Sequence, residues 1–163
     1  MKQRKHLLSL FIVFTLVSSC NVENKKSNNF LEKQNEKAFT EVMLKHLKAV
    51  SDKNMETLKI TLSPKGDMEL IQPNMEIIYS VNGFLKFHEP FLKDSNSALE
   101  FKITSKNIGD RIGVATTEAI YKEFKRNGKP YFNRLIVTYT LEKIKGKWYV
   151  IKDHASSIEK TKS

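Results

Sequence analysis

The sequence predicts a small α+β domain in which helices come first and an antiparallel sheet follows. In the first half of the chain apolar residues recur at helical spacing, and from Ala98 onward they alternate with a period of two. Three turn signals divide this second half into four strands: Ile108-Gly109, Asn127-Gly128 and Lys145-Gly146. With 163 residues and 40% hydrophobic content, the chain suits one core and no second domain.

The amino-terminal segment has the pattern of an export signal. Three basic residues precede an apolar run from Leu7 to Val17, which is short for a membrane-spanning helix. The run ends in VSSC, and Cys20 is the only cysteine of the chain. An ordinary secretory signal that ends near a cysteine is the alternative interpretation.

The stretch VSSC resembles the lipobox of bacterial lipoproteins, in which small residues precede a cysteine that is acylated and becomes the new amino terminus. The resemblance implies an exported lipoprotein of the cell envelope, on the periplasmic or outer-membrane side, with a diacylglycerol thioether and palmitate-type acyl chains on Cys20. Because two or more acyl chains hold a protein stably at a bilayer, the mature form is expected to be membrane-anchored.

Behind the cysteine we expect a tether and then a single domain. The segment after Cys20 is polar and has no apolar periodicity. The predicted division is a signal peptide at 1–20, a flexible tether at 21–29 and one folded domain at 30–160.

The chain is basic, with a formal net charge of +10. Without the three basic residues of the leader, 25 of the 28 basic residues remain against 18 acidic ones, which gives +7. Nucleic acid is not an expected partner of an exported protein. A lysine-rich surface that faces anionic lipid head groups explains the charge more simply.

Helix signals define the first half of the domain. Asn29 is a suitable N-cap, with Glu32 at the third helical position, and the apolar periodicity then runs to about Lys53. Asn54 can cap a second, short helix. The apolar positions of the first helix are Phe39, Val42, Met43, Leu47 and Val50.

A short strand and a third helix are predicted next. The run MELIQP is a strand that Pro73 ends. Ser80 opens a helix with an apolar face formed by Val81, Phe84, Leu85, Phe91 and Leu92. Pro90 is expected to kink or split this helix, because proline cannot donate a backbone hydrogen bond.

If each turn signal is a two-residue loop, the registers of the four long strands follow. We expect the helices to pack on the resulting apolar face. The opposite face, which includes Ile136, Tyr149 and Ile151, is either solvated or the surface of a homodimer. The predicted apolar face consists of Leu99, Phe101, Ile103, Ile112, Val114, Thr116, Glu118, Ile120, Phe124, Leu135, Val137, Tyr139, Leu141, Trp148, Val150, Lys152 and His154.

This order of elements, ending in GKWYVIKDHASS, resembles the nuclear transport factor 2-like superfamily, and within it the SnoaL-like and kinase-association-type branches. The shared closing residues are Gly146, Trp148, His154 and Ser156, and the resemblance covers about residues 30 to 158. It implies a cone-shaped, strongly curved antiparallel sheet with N-terminal helices on its concave face, a pocket inside, and frequent dimers through the outer face. It does not imply one reaction, because this fold hosts isomerases, dehydratases, ligand binders and assembly domains.

Polar residues interrupt the predicted apolar face at Thr116, Glu118, Lys152 and His154, and Tyr139 adds a hydroxyl. In the predicted register Glu118 and His154 lie two strands apart, roughly 9 to 10 Å between backbones. They are weak candidates for a catalytic acid/base pair. A satisfied core network, or neutralisation of Glu118 by Lys152, is the alternative.

The ketosteroid isomerase branch of the family implies a tyrosine in the first helix, a base aspartate before a proline, and an aspartate on a later strand. These positions correspond to His46, Gln72 and Thr138 or Tyr139. Gln72 cannot accept a proton, so this mechanism is not expected. Tyr139 remains suitable as a hydrogen-bond donor.

Metal and cofactor signals are absent from the sequence. The mature chain has three histidines, His46, His88 and His154, and no pair has metal-ligand spacing. There is no phosphate loop and no nucleophile elbow, so no cofactor is expected. Four basic residues could form a phosphate patch, although lysines at hairpin ends more often protect strand edges: Lys122, Lys125, Arg126 and Lys129.

Three functions are consistent with these observations. The first is a lipid-anchored, non-catalytic domain that binds a small, mostly apolar ligand in the pocket, or a protein partner on the outer face. The second is an isomerase- or dehydratase-type enzyme that uses Glu118 and His154. The third is a purely structural dimer. The predicted ligand-binding residues are His46, Gln72, Phe101, Thr116, Glu118, Tyr139, Lys152 and His154.

Overall fold

The computed structural model describes the backbone of residues 10–162 and the side chains of residues 29–162. It forms two compact units, Met1–Lys37 and Ala38–Ser163, and the sheet belongs to the second. The basic start of the predicted signal and the side chain of Cys20 lie outside the described residues. No helix within the described part is long and apolar enough to cross a membrane.

The described residues form three helices: α1 (Leu10–Ser51), α2 (Met55–Lys59) and α3 (Val81–Lys93). Helix α1 begins earlier than the predicted cap at Asn29, and the division into leader, tether and domain stays a prediction. The other two caps are confirmed. The Asn54 side chain accepts a hydrogen bond from the Thr57 amide at 2.8 Å, and the Ser80 hydroxyl accepts one from the Gly83 amide at 3.1 Å.

The sheet contains six strands in the order β2-β1-β6-β5-β4-β3, and it is curved and unclosed. The four long antiparallel strands are confirmed. The prediction of a wholly antiparallel sheet was wrong in one respect, because β1 pairs with β6 in parallel. The strands are β1 (Asp67–Ile71), β2 (Ile78–Ser80), β3 (Ser97–Ile108), β4 (Ile112–Arg126), β5 (Lys129–Ile144) and β6 (Lys147–Lys160).

Two of the three predicted two-residue turns are confirmed. Asn127 and Gly128 have φ of 53° and 84°, and Lys145 and Gly146 have φ of 50° and 80°, which suits hairpins of right-handed twist. The β3–β4 connection differs from its prediction, because three residues separate the strands. In this loop the Gly109 amide donates a hydrogen bond to the Ile112 carbonyl at 2.9 Å.

The predicted facing of β4 was wrong. A register shift between Glu123 and Arg126 moves the β4–β5 pairing by one residue, so that Ala119 lies opposite Leu135. A one-residue shift turns every following side chain to the other face of the sheet. The inward residues of β4 are therefore Gly113, Ala115, Thr117, Ala119 and Tyr121.

A second irregularity changes the end of β6. Leu141 pairs with Val150, but Thr140 pairs with Lys152, so Ile151 is the extra residue of a bulge. Up to Val150 the predicted facing holds. Beyond Ile151 it is inverted, and Asp153 is buried where Lys152 and His154 were expected.

The helices pack against the inward face of the sheet, as predicted. Phe39 of α1 meets Trp148 of β6 edge to face, with ring centroids 5.3 Å apart, and both side chains are buried. Gly113 of β4 lies directly beneath the Phe39 ring. The small residues of β4 therefore let α1 approach the sheet closely.

Candidate ligand-binding cavity

A cavity of about 530 Å³ lies between α3 and the inward face of strands β3 to β6. Most of its wall is apolar. The apolar lining consists of Val50, Phe87, Pro90, Phe91, Leu99, Phe101, Ala119, Leu135, Val137 and Ala155. The polar lining consists of Gln72, His88, Asp94, Tyr121, Asn133, Tyr139 and Asp153.

Asp153 is the buried acid of this cavity. The bulge at Ile151 turns it inward, and its Oδ1 atom has no hydrogen-bond partner among the described residues. Burial raises the pKa of the Asp153 carboxyl to about 7. Near neutral pH this group is therefore present in both protonation states and can donate or accept a hydrogen bond.

Tyr139 lies directly opposite Asp153 on the neighbouring strand. Cross-strand neighbours of this kind have Cβ atoms roughly 5 Å apart. Burial, and then the nearby charge of Asp153, raises the pKa of Tyr139 well above its ordinary value. The phenol stays neutral at physiological pH, so its hydroxyl is a hydrogen-bond donor in the cavity wall.

His88 presents a hydrogen-bond acceptor. Its Nδ1 lies 2.9 Å from the Phe84 carbonyl oxygen, which can only accept, so Nδ1 carries the proton. Burial lowers the pKa of His88 to about 4, and the ring is neutral at pH 7. Its Nε2 consequently has a free lone pair.

His46 lies behind the cavity wall. Its Nδ1 is 2.8 Å from the Thr61 hydroxyl, which already donates its proton to the Leu58 carbonyl, so His46 Nδ1 must be the donor. The Nε2 atom has no partner among the described residues. Burial, followed by the charge of His88, lowers the pKa of His46 to about 3. The ring meets Tyr139 edge to face at 5.3 Å.

Four of the eight predicted binding residues belong to this region. Gln72, Phe101 and Tyr139 line the cavity, and His46 packs against Tyr139 without lining it. These residues lie on α1, on β3 and β5, and directly after β1.

The other four predicted residues lie on the outer face of the sheet. Thr116 pairs with Thr138 there, and His154 is exposed. Glu118 forms an ion pair with Arg134 at 3.5 Å, and Lys152 forms one with Glu69 at 2.7 Å. The predicted acid/base pair of Glu118 and His154 does not enter the cavity, because both register shifts turn these side chains outward.

Five polar residues of the cavity were not predicted from the sequence: His88, Asp94, Tyr121, Asn133 and Asp153. His88 carried a usable signal, because it follows Phe84 by four residues and precedes Phe91 by three, on one helical face. Asp153 carried none, because its inward direction depends on the bulge. No group of three His, Cys, Asp or Glu side chains in the described part of the chain could hold a metal ion.

Comparison with known proteins supports the fold. No family model and no curated protein matches the sequence. A type 2 hexachlorocyclohexane dehydrochlorinase matches with a TM-score of 0.69 at 12% identity, covering 82% of this chain and 91% of that one. A nuclear transport factor 2-like superfamily protein from Salmonella enterica matches with a TM-score of 0.66 at 15% identity, covering 80% and 96%.

Another structure with a similar fold is described as an association domain. The association domain of C. elegans CaMKII matches with a TM-score of 0.57 at 19% identity, covering 77% of this chain and 97% of that one. These likenesses show that the chain has the nuclear transport factor 2-like fold, which confirms the prediction. Since proteins of this fold include ligand binders and enzymes, the function has to be inferred from the residues of the cavity and not from the fold.

Proposed function

We propose that the domain binds a small, mostly apolar ligand that carries one neutral hydrogen-bonding group. The observation that carries this proposal is the buried residue Asp153, which is 4% exposed and whose Oδ1 atom faces an apolar cavity without a hydrogen-bond partner among the described residues. Buried polar atoms are nearly always hydrogen-bonded, and leaving one unpaired is costly. A ligand that pairs with Asp153 would remove this cost.

The cavity walls define the class of ligand. The volume of about 530 Å³ is in the range of small-molecule sites. Among the described residues that line it, none is Lys or Arg, so a ligand carboxylate would lack a counter-charge. A hydroxyl or keto group suits the site, because Tyr139 can donate to it and the bare Nε2 of His88 can accept from a hydroxyl.

Binding without catalysis is the principal hypothesis. The catalytic alternative through Glu118 and His154 is withdrawn, because neither residue lines the cavity. A carboxyl group with a pKa of about 7 is nevertheless suited to proton transfer, so acid/base chemistry by Asp153 is a second candidate. Recovery of a bound compound unchanged after long incubation would favour binding, and its conversion would favour the second candidate.

Native mass spectrometry of the segment from Ser27 to Ser163, purified without added ligand, tests the binding proposal. We expect a retained mass that is released on denaturation. A species without extra mass, together with no binding of neutral apolar probes, would contradict the proposal. The same spectrum reports the number of subunits.

A cavity-filling substitution is the matched functional test. Ala155→Leu places a larger side chain in the cavity wall. Ser156→Leu, at the next residue, places the same side chain on the outer face of the sheet. Binding of the neutral probe N-phenyl-1-naphthylamine should weaken about tenfold or more in the first variant, because the volume is occupied. It should be unchanged in the second. Equal probe binding by both variants would place the probe elsewhere.

We also propose a homodimer through the outer sheet face, which the sequence left open as either a solvated face or a dimer surface. Ile136 lies within that face, paired with Glu118 and Ser156. Ile151 occupies the bulge of β6, and Tyr149 lines a surface groove beside α2. The likeness to an association domain supports assembly. The subunit count from native mass spectrometry decides this proposal.

The membrane anchor remains part of the proposed function. We expect Cys20 to be acylated and the mature protein to be exported and held in the cell envelope. Cys20→Ala should abolish acylation in the intact mass, with Cys20→Ser as a second thiol-free control. An unmodified cysteine in the wild-type mature protein would contradict the assignment.

A further inference from the structure

We propose that the end of the β4–β5 hairpin, together with the end of β6, docks on an anionic lipid bilayer. This surface lies outside the cavity and does not depend on ligand binding, and it lies at the opposite end of β6 from Tyr149 and Ile151 of the proposed dimer face. Its central feature is an apolar depression that we call the tip groove, with a volume of about 420 Å³. The apolar residues of the tip groove are Ile120, Phe124, Pro130 and Phe132.

The tip groove exposes large apolar side chains to solvent. Phe124 is 56% exposed and Phe132 is 38% exposed. The end of β6 borders the groove, because the Thr161 amide donates to the Phe132 carbonyl at 3.0 Å and the Phe132 amide donates to the Thr161 hydroxyl at 3.0 Å. A contiguous exposed apolar patch of this kind marks an interaction surface.

Basic residues lie in the lining of the groove and next to it in the sequence, and Glu123, an acidic residue of the lining, is paired with Arg126. Lys122 pairs with Glu100, and Arg126 pairs with Glu123, so these two basic residues are neutralised. Four exposed lysines remain whose ammonium groups have no ion-pair partner among the described residues. These are Lys125, Lys129, Lys160 and Lys162.

The combination favours a bilayer as the occupant. Ammonium groups pair with lipid phosphates, while aromatic side chains enter the boundary between head groups and acyl chains. Each lysine near an anionic surface strengthens attachment roughly fivefold, so four together are a strong signal. The β5–β6 turn at the other end of β5 also carries lysines, Lys145 and Lys147, but its neighbouring aromatic residue, Trp148, is buried. The apolar contact therefore distinguishes the tip groove.

The test uses the full chain with a tryptophan reporter at the groove, Phe132→Trp. The protein is mixed with vesicles of phosphatidylglycerol and phosphatidylcholine in a ratio of about 3:7, or of phosphatidylcholine alone, each with brominated acyl chains that quench tryptophan on contact. The matched control is Ile112→Trp, an exposed apolar position at the opposite end of β4. The native Trp148 is buried and gives the background in both variants.

We expect quenching of the groove tryptophan in the anionic vesicles to exceed that in neutral vesicles by at least about twofold. Replacing the four lysines with glutamine, as in Lys125→Gln, should remove the excess, while the tryptophan at 112 shows none. Since all four lysines are exposed, this variant should keep its circular dichroism spectrum. Equal quenching in both vesicles, or none in either, would overturn the proposal. Quenching at both reporter positions would indicate attachment through another part of the chain and would also overturn it.

Discussion

Lowering the pH from about 7 towards about 4.5 is expected to reduce the free energy of unfolding by about 2 kcal/mol, because two buried histidines that are neutral in the fold outweigh one buried carboxyl that acts in the opposite direction. The pKa of His46 is lowered to about 3 and that of His88 to about 4, chiefly by burial. In the unfolded chain both return to about 6.5. Below pH 6.5 the unfolded state therefore binds more protons than the folded state.

These pKa values set the direction of the change in unfolding free energy and the pH range over which it occurs. The stability contribution of each histidine is fully present above the unfolded pKa and is lost as the pH falls towards the folded pKa. At its full extent the loss is about 5 kcal/mol for His46 and about 3 kcal/mol for His88. Most carboxylates titrate below this range, so the histidines dominate between about pH 6.5 and about pH 4.5.

Asp153 acts in the opposite direction. Its folded pKa of about 7 lies above the ordinary value of 3.8, so its stability contribution is present at low pH and is lost as the pH rises towards 7. Between these values the two histidines outweigh the one carboxyl. Asp153→Asn should therefore make the acid-dependent loss steeper, because it removes the opposing term.

Urea unfolding followed through Trp148 fluorescence at several pH values measures these slopes. His46→Gln retains a donor towards Thr61 and removes one titrating group, and His88→Gln removes the other. Each substitution should flatten the pH dependence relative to wild type. A slope that neither substitution changes would show that the histidines do not bear the acid sensitivity.

Gly113→Ala is expected to lower the free energy of unfolding by about 2 to 3 kcal/mol, because the added methyl group has no room. A Cβ atom at this position would lie 2.5 Å from Cε2 and 2.9 Å from Cδ2 of Phe39. The Phe39 ring is fully buried and is held against Trp148, so it cannot move aside without disturbing the core. Gly113→Val should cost more.

A double-mutant cycle tests the cause of this loss. Phe39→Leu alone removes buried surface and destabilises the domain. In its presence Gly113→Ala should cost less than it does in wild type, because the clashing ring is absent. Equal costs in the two backgrounds, measured by urea or thermal unfolding, would show that the contact with Phe39 is not responsible.

Local sequence signals correctly predicted much of the architecture. Asn54 and Ser80 cap their helices through their own side chains. Asn127-Gly128 and Lys145-Gly146 form two-residue turns, in which both residues have the positive φ that this kind of turn requires. Pro90 did not split α3, which continues to Lys93. These features depend on neighbours within a few residues, so the order of elements and the fold could be derived from sequence.

The tertiary structure alone decided which residues enter the cavity. Apolar alternation favoured Ile112, Val114 and Ile120 as the inward side of β4, but the close approach of Phe39 requires small residues there, beginning with Gly113. This preference arises from the packing of a helix on the sheet and leaves no pattern within the strand itself.

The two register shifts had the larger consequence. Side chains alternate between the two faces along a strand, so one extra residue reverses which side chains point inward. The extra residue at Ile151 turns Asp153 inward instead of His154, and the one near the β4–β5 turn places Ala119 on the inward face instead of Glu118. The sequence by itself determined the elements other than β2, their order and the inward sides of β3 and β5. The identity of the buried acid depended on bulges, which are set by how the curved sheet accommodates its helices and carry no signal of their own in composition or periodicity.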